Sequence, residues 1–237
     1  MDGNYFVVVG GSSGIGLEVC RRLTEKNLSV LVISRSANGL TDVGGLSHLP
    51  LDVTREAIDG EKLPEKIQGL VYCPGTIRLR PFNRLKEEDF ETDWRINFMG
   101  AVNAIQACLP AMKKADPPAS IVLFSTVAVR TGMPFHASIA SAKGALEGLT
   151  RSLAAEFAPK IRVNAVAPSL TDTNLAKTLL SDDNKRAAAG ERHPLKRFGS
   201  VGDSASMAVF LLENQSSWIT GQVLAVDGGM SAVRTFK

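Results

Sequence analysis

The chain is poor in the residues that bind metals, cross-link a fold or exchange protons. Its 237 residues include three cysteines, three histidines and two tyrosines. Cys20, Cys73 and Cys108 are far apart and form none of the paired spacings that hold zinc or frame a disulfide scaffold, so they read as buried, reduced thiols. His48, His136 and His193 are equally scattered, and no metal site is expected. No apolar run approaches the roughly 20 residues of a membrane helix. No basic segment with a cleavage site precedes the first apolar run, so neither a leader nor a membrane segment is read. The net charge of +3 is too small to argue for nucleic acid. A cytoplasmic, metal-free protein acting on a small molecule is the expectation.

What the chain does have is a repeated alternation of short apolar runs with helical patterns. Hydrophobic residues make up 44% and charged residues 22% of a length that suits one α/β domain. Runs of β-formers predict strands over 5–9, 29–34, 46–51, 68–73, 120–124, 162–166 and 222–226. Helical periodicity follows the first strand, covers 87–114 as one long region, and returns at 138–157 and 203–213. Between 35 and 45 lie Asn38-Gly39 and Gly44-Gly45 without helical period, so a crossover helix is not expected there. At most one helical turn precedes the strand at 68. Strands alternating with helices imply a single doubly wound parallel sheet, Rossmann-like, with helices on both faces and ligands beyond the strands' carboxyl ends.

After the first strand comes Gly10-Gly11-Ser12-Ser13-Gly14-Ile15-Gly16, which runs into a helix. Glycines let the backbone turn and approach a phosphate, while unpaired amides and the helix dipole favour an anion. The spacing is G-x-x-x-G-x-G rather than G-x-G-x-x-G. After the second strand comes Arg35, and no Asp or Glu lies between Ser29 and Thr41. A carboxylate there would bind an adenosine ribose and select NAD(H). A guanidinium instead suits a 2′-phosphate, which favours NADP(H); the alternative is a solvated loop arginine.

The glycine loop, Leu51-Asp52-Val53-Thr54, Asn97, the segment Ser120 to Ala176, and Trp218 to Gln222 with Val226-Asp227-Gly228-Gly229 together resemble the short-chain dehydrogenase/reductase family over nearly the whole chain. That resemblance implies cofactor contacts from Gly10, Ser12, Ser13, Gly14, Ile15 and Gly16, and from Asp52 and Val53 at the adenine. Cys73-Pro74-Gly75 stands where the family has Asn-Ala-Gly, and contacts there are mostly backbone. Pro168-Ser169-Leu170-Thr171-Asp172-Thr173 is similar to the family's Pro-Gly-x-x-x-Thr segment, so Pro168, Thr171 and Thr173 are expected at the nicotinamide amide.

The resemblance also implies a Ser, a Tyr about thirteen residues later, a Lys four beyond, and an Asn from the long central helix. Tyrosine exchanges the proton with the substrate oxygen, and the lysine cation lowers its pKa. Here Asn97, Thr126 and Lys143 occupy three of those places, and Lys143 would also hold the nicotinamide ribose. Ile139 occupies the fourth. Tyr5 and Tyr72 lie in strands. His136, three residues before Ile139, is a candidate proton donor because histidine changes charge near neutral pH; a plain helix-start residue is the alternative. Ser125, Thr126, a water on Lys143, or Lys143 itself are others.

From Leu170 to Gly199 the chain carries Lys177, Lys185, Arg186, Arg192, His193, Lys196 and Arg197. They read either as a basic lid for an anionic substrate or as a solvated helix face. Three functions remain open: an NADP(H)-dependent oxidoreductase with an altered proton relay, a catalytically silent sensor or structural partner of an active paralogue, and non-redox chemistry around a structural dinucleotide. The apolar C-terminal strand, if it is a sheet edge, calls for cover in a homotetramer or dimer.

Overall fold

Valine, isoleucine and leucine dominate the strand segments, and the structure shows why: most are covered on both faces. The structure is a computed structural model and describes residues 5–235; residues 1–4, where no leader is read, and 236–237 lie outside it. Its strands are β1 (Tyr5–Val9), β2 (Ser29–Ser34), β3 (Leu46–Pro50), β4 (Ile67–Tyr72), β5 (Ala119–Phe124), β6 (Ile161–Pro168) and β7 (Val223–Val226). They form one sheet in the order β3-β2-β1-β4-β5-β6-β7, every neighbouring pair parallel. The chain runs outward from β1 in one direction and then from β4 in the other. The crevice between β1 and β4 is therefore the switch point at which such sheets bind ligands.

Alternate residues of each strand feed two apolar layers. One face sends Val7, Val9, Ile33, Leu70, Tyr72, Ile121 and Leu123 against helices α3 (Gly100–Met112) and α5 (Ala137–Phe157). The other sends Phe6, Val8, Val32, Val71, Val122 and Val166 against α1 (Gly14–Glu25) and α7 (Val201–Leu212). Full burial of one such aliphatic side chain contributes about 1.5–3 kcal/mol, so these layers hold the site's frame.

Several boundaries shift by a residue or two for identifiable reasons. Helix α7 begins at Val201, earlier than 203, because Ser200 and Asp203 form a reciprocal cap. Strand β6 continues past Val166 to Pro168, since β7 pairs with it along Ala165–Pro168. Two short helices escape the sequence reading: α4 (Ala128–Thr131), and α6 (Asp183–Glu191), whose N-cap Asp182 accepts from the Lys185 amide. Residues 35–45 form turns only, as the sequence predicts.

The single helix expected over 87–114 is instead α2 (Glu87–Trp94), one π-turn (Arg95–Met99) and α3. The cause lies in β4, whose Tyr72 hydroxyl donates to the Ile96 carbonyl at 2.7 Å. A Cβ on Gly100 would stand 2.1 Å from that hydroxyl, so glycine leaves room for the phenol beside the widened turn. π-turns of this kind often sit at functional sites, and this one carries Asn97. Cys20 and Cys108 are buried in opposite layers as expected, but Cys73 is only half-buried at the crevice. Among the described residues no helix is long and apolar enough to cross a membrane.

Candidate active site

At the carboxyl ends of the strands lies one cleft of about 860 Å³. It brings together every sequence-predicted site residue except Asn97. The glycine loop forms its floor. Gly16 is fixed by close approach, because a Cβ there would lie 2.4 Å from the Gly10 carbonyl oxygen. Gly10 adopts φ +76°, and a Cβ would press on the Pro74 ring at 3.0 Å, which ties the loop after β1 to the loop after β4. Ser13, the N-cap of α1, makes no side-chain cap hydrogen bond, and so does not block the first-turn amides of the helix. The backbone cradle, the open N-terminus and the volume fit a dinucleotide.

At the wall formed after β2 and β3, Arg35 is exposed and lines the cleft beside Asp52, Val53 and Ser34. The Thr54 hydroxyl donates to Asp52 at 2.7 Å. That bond, with lesser help from the Arg35 charge, holds the carboxyl below its ordinary range. Thr173 faces the glycine loop across the cleft, its methyl 3.5 Å from where a Cβ on Gly14 would stand. Pro168 and Thr171 line the same wall.

The reacting end is built by β5, α5 and the loop after β6. Ser125 donates to Glu147 at 2.6 Å and is thereby committed. Thr126 accepts from the Ala128 amide at 3.3 Å, which leaves its hydroxyl proton for a ligand. Lys143 is buried, and its Nζ donates to the Phe124 carbonyl at 2.6 Å. Burial pulls its pKa down to about 8, opposed by Cys73 and Asp93. Burial likewise pushes the Cys73 thiol up. Ile139 sits one helical turn before Lys143 and contributes an apolar patch to the cleft. His136 caps α5, lines the cleft, and has Nδ1 2.8 Å from the Pro134 carbonyl.

Asn97 does not line the cleft. It is fully buried, its amide donating to the Thr76 hydroxyl and the Asp93 carbonyl at 2.9 Å each. Its Oδ1 has no partner. A Cβ on Gly75 would lie 3.3 Å from that Oδ1 and 3.8 Å from Lys143 Nζ, so both groups converge on Gly75. Asp93, which sequence reasoning did not single out, anchors this cluster: its carboxylate accepts from Thr76 and Ser138.

Neither tyrosine serves the cleft. Tyr72 is buried with its hydroxyl on Ile96, and burial pushes its pKa up; Tyr5 stands at the opposite end of β1, and neither lines the cavity. The basic segment resolves mostly into an outward face. Arg186 pairs with Asp172, Lys185 with Asp182, Lys196 with Glu191, and Arg197 with Asp203. Lys177 is exposed. Only Arg192 and His193 reach the cleft. Ser169 meets His193 there, and the sequence signal for it was a serine in the glycine place of the Pro-Gly segment.

Comparison with known proteins gives four matches. A family profile described as enoyl-(acyl carrier protein) reductase matches residues 9–231. L-xylulose reductase of Mus musculus is 31% identical over 237 residues, covering 97% of each chain. The 3-oxoacyl-(acyl-carrier-protein) reductase FabG of Thermotoga maritima is 32% identical over 249, covering 97% of this chain and 98% of the other. Among solved structures, a gluconate 5-dehydrogenase from Burkholderia cenocepacia in complex with NADP and tartrate superposes with a TM-score of 0.88 at 27% identity, over 99% and 97% of the two chains.

Proposed function

The chain belongs to the short-chain dehydrogenase/reductase family of oxidoreductases, and from that premise we propose that it is an NADP(H)-dependent oxidoreductase interconverting a carbonyl and an alcohol through an altered proton relay. The observation that carries this reading is the single cleft that joins the glycine loop and Arg35 at one end to Thr126 and Lys143 at the other. NADP(H) is favoured over NAD(H) because Arg35 lines the cleft just after β2, and no Asp or Glu lies between Ser29 and Thr41 to take a ribose hydroxyl. A related structure with NADP bound supports the same preference.

When bound, the nicotinamide supplies or takes the hydride. This chain's residues do the rest. Gly10 to Gly16 receive the phosphates, Asp52 and Val53 flank the adenine, and Lys143 holds the ribose. The loop Pro168 to Thr173 orients the carboxamide end. Thr126 polarises the substrate carbonyl, its free hydroxyl donating a hydrogen bond to the oxygen. The relay is altered because Ile139 stands one turn before Lys143 and no tyrosine lines the cleft. His136 and Lys143 are the titratable groups beside that gap. Lys143, with a pKa near 8, is partly neutral in mildly alkaline solution and can give up a proton that the ordinary lysine would keep.

A second reading has one observation in its favour. A family fold without its tyrosine forgoes the roughly 10²–10⁴ in rate that a positioned acid–base group provides, which suits a cofactor-binding protein that does not turn over. It would then serve as a sensor, or as the partner of an active paralogue in a hetero-oligomer. We further propose a homotetramer or dimer built on the β7 edge. The three free thiols suit the reducing cytoplasm.

Turnover separates the two. NADPH oxidation with a panel of small ketones and ketoses, some carrying carboxylates, is expected for wild type. His136→Ala is expected to lower kcat at least tenfold if His136 is the donor. Activity that appears only in Ile139→Tyr would overturn the altered relay in favour of the silent protein.

A further inference from the structure

Ser169 and His193 form a hydroxyl–imidazole pair lining the cleft that also holds Thr126 and Lys143. Ser169 Oγ lies 2.9 Å from His193 Nε2. On its other side, His193 Nδ1 lies 2.8 Å from the Ala189 carbonyl oxygen. A carbonyl can only accept, so Nδ1 carries a hydrogen in either charge state. In the neutral ring Nε2 is then an acceptor, and Ser169 donates to it. In the protonated ring Nε2–H donates to Oγ, and the serine hydrogen is released to another acceptor. Met230 Sδ, 3.2 Å from Oγ, is a weak one. The cleft is the other direction available, since Ser169 and His193 both line it.

The pair is built, not incidental. His193 is 2% exposed, which is a costly placement for a titratable ring unless both nitrogens are satisfied, as they are. Helix α6 supplies the Ala189 carbonyl, β6 delivers Ser169, and the turn after β7 closes the far side, where Gly228 packs on the imidazole. The charged group coupled to the ring is Asp227 on that turn, held by the Gly229 and Ser231 amides; Arg192, next in the chain, is exposed and donates to the Ala188 carbonyl. The loop of Ser169 lies directly against that of Thr126. The Val127 amide donates to the Pro168 carbonyl at 3.2 Å, and the Ser125 amide to Val166 at 2.7 Å. Two cleft hydroxyls, Thr126 and Ser169, thus stand at the ends of adjacent strands.

We propose that Ser169 and His193 are the proton relay that serves the substrate oxygen in place of the absent phenol, Ser169 as the catalytic hydroxyl and His193 as the proton source behind it. The proposal rests on the oxidoreductase reading above. In the direction of reduction the Ser169 Oγ–H bond breaks and an O–H bond forms on the substrate oxygen. The His193 Nε2–H bond breaks as its proton replaces the one lost from Oγ. His193 ends neutral with Nδ1–H intact, and solvent later restores its proton. No electrons are exchanged at the pair. Oxidation of the alcohol runs the same transfers backwards, with neutral His193 accepting.

The test has a spectroscopic arm and a kinetic arm. In protein labelled with ¹⁵N-histidine, His193 is expected to show a protonated Nδ1 and an acceptor Nε2. Acetoin added to the NADP⁺-bound protein should move the Nε2 resonance in wild type but not in Ser169→Ala. With NADPH and diacetyl as the probe, Ser169→Ala and His193→Gln should each lower kcat 10²–10³-fold with little change in KM. Their combination should be no worse than either alone, and Ser169→Thr should retain most activity. A hydrogen on Nε2 in the neutral ring, or an Nε2 resonance indifferent to acetoin, would overturn the proposal whether or not diacetyl is a substrate. So would a rise in KM with kcat intact, which would make the pair a binding contact. Calorimetry with NADPH on every variant keeps the two readings apart: loss of binding in wild type refutes the cofactor reading, whereas unchanged binding with unchanged kcat refutes only the relay.

Discussion

At the scale of single residues, Lys143 is where folding and function pull against each other. A buried ammonium is destabilised, and its pKa falls from 10.5 to about 8. The sign follows from proton linkage. Between these values the unfolded chain binds the proton and the folded chain does not, so stability rises with pH across that window. That fall corresponds to about 3 kcal/mol of burial cost carried at neutral pH. We expect Lys143→Met to be more stable than wild type at pH 7 by a margin smaller than that, since Phe124 loses its donor. The margin should shrink steadily from about pH 8 to pH 10.5 in urea melts. A pH-independent difference would show that Lys143 is solvated. Lys143, Thr126 and Ile139 were legible through the family resemblance, which supplies the spacing to count by. His193 was not, because a histidine in a basic stretch gives no hint that its ring turns inward; α6, itself unread, brings Ala189 to one nitrogen and the end of β6 brings Ser169 to the other.

At the scale of elements, the break between α2 and α3 shows how a strand can dictate the shape of a helix. The apolar positions of 87–114 keep helical period, which made one continuous helix the natural reading. Nothing local marks the π-turn, since its cause is a phenol arriving from β4, 24 residues away. Tyr72→Phe should cost about 1 kcal/mol for the lost hydrogen bond. Gly100→Ala should cost about 1–3 kcal/mol through overpacking against the hydroxyl. In the double variant the clash is eased, because the nearest remaining ring atom, Tyr72 Cζ, is 3.1 Å from the added carbon where the hydroxyl oxygen is 2.1 Å from it. The two costs should therefore fall short of additivity by at least 0.5 kcal/mol in a double-mutant cycle. Strict additivity would mean that the two residues do not share this space. The strands were easier to read than this helix, because two-sided burial writes a dense β-branched run into the sequence itself.

At the scale of the whole molecule, the sheet has one bare edge of interest. Among the described residues strand β7 pairs only with β6, and Trp218, five residues before it, is 99% exposed. An open edge next to a bare indole favours self-association. Sedimentation at micromolar concentration is expected to give a tetramer or dimer, and Trp218→Asp to shift it toward smaller species. Monomer throughout would remove the assembly proposal. The doubly wound class was legible from the alternation of elements, and the cleft from the residues that follow each strand. What could not be read was which of the basic residues between 170 and 199 turn inward, since ion pairing with Asp172, Asp182, Glu191 and Asp203 decides that in three dimensions.

The central claim is that this cleft binds NADP(H), and calorimetric titration with NADPH and NADH tests it most directly. Wild type is expected to bind NADPH more tightly, and Arg35→Ala to weaken NADPH about 10- to 100-fold, the worth of one charge-assisted contact to a phosphate, while leaving NADH nearly unchanged. Absence of binding by either nucleotide, or equal affinity for both in wild type, would contradict the account.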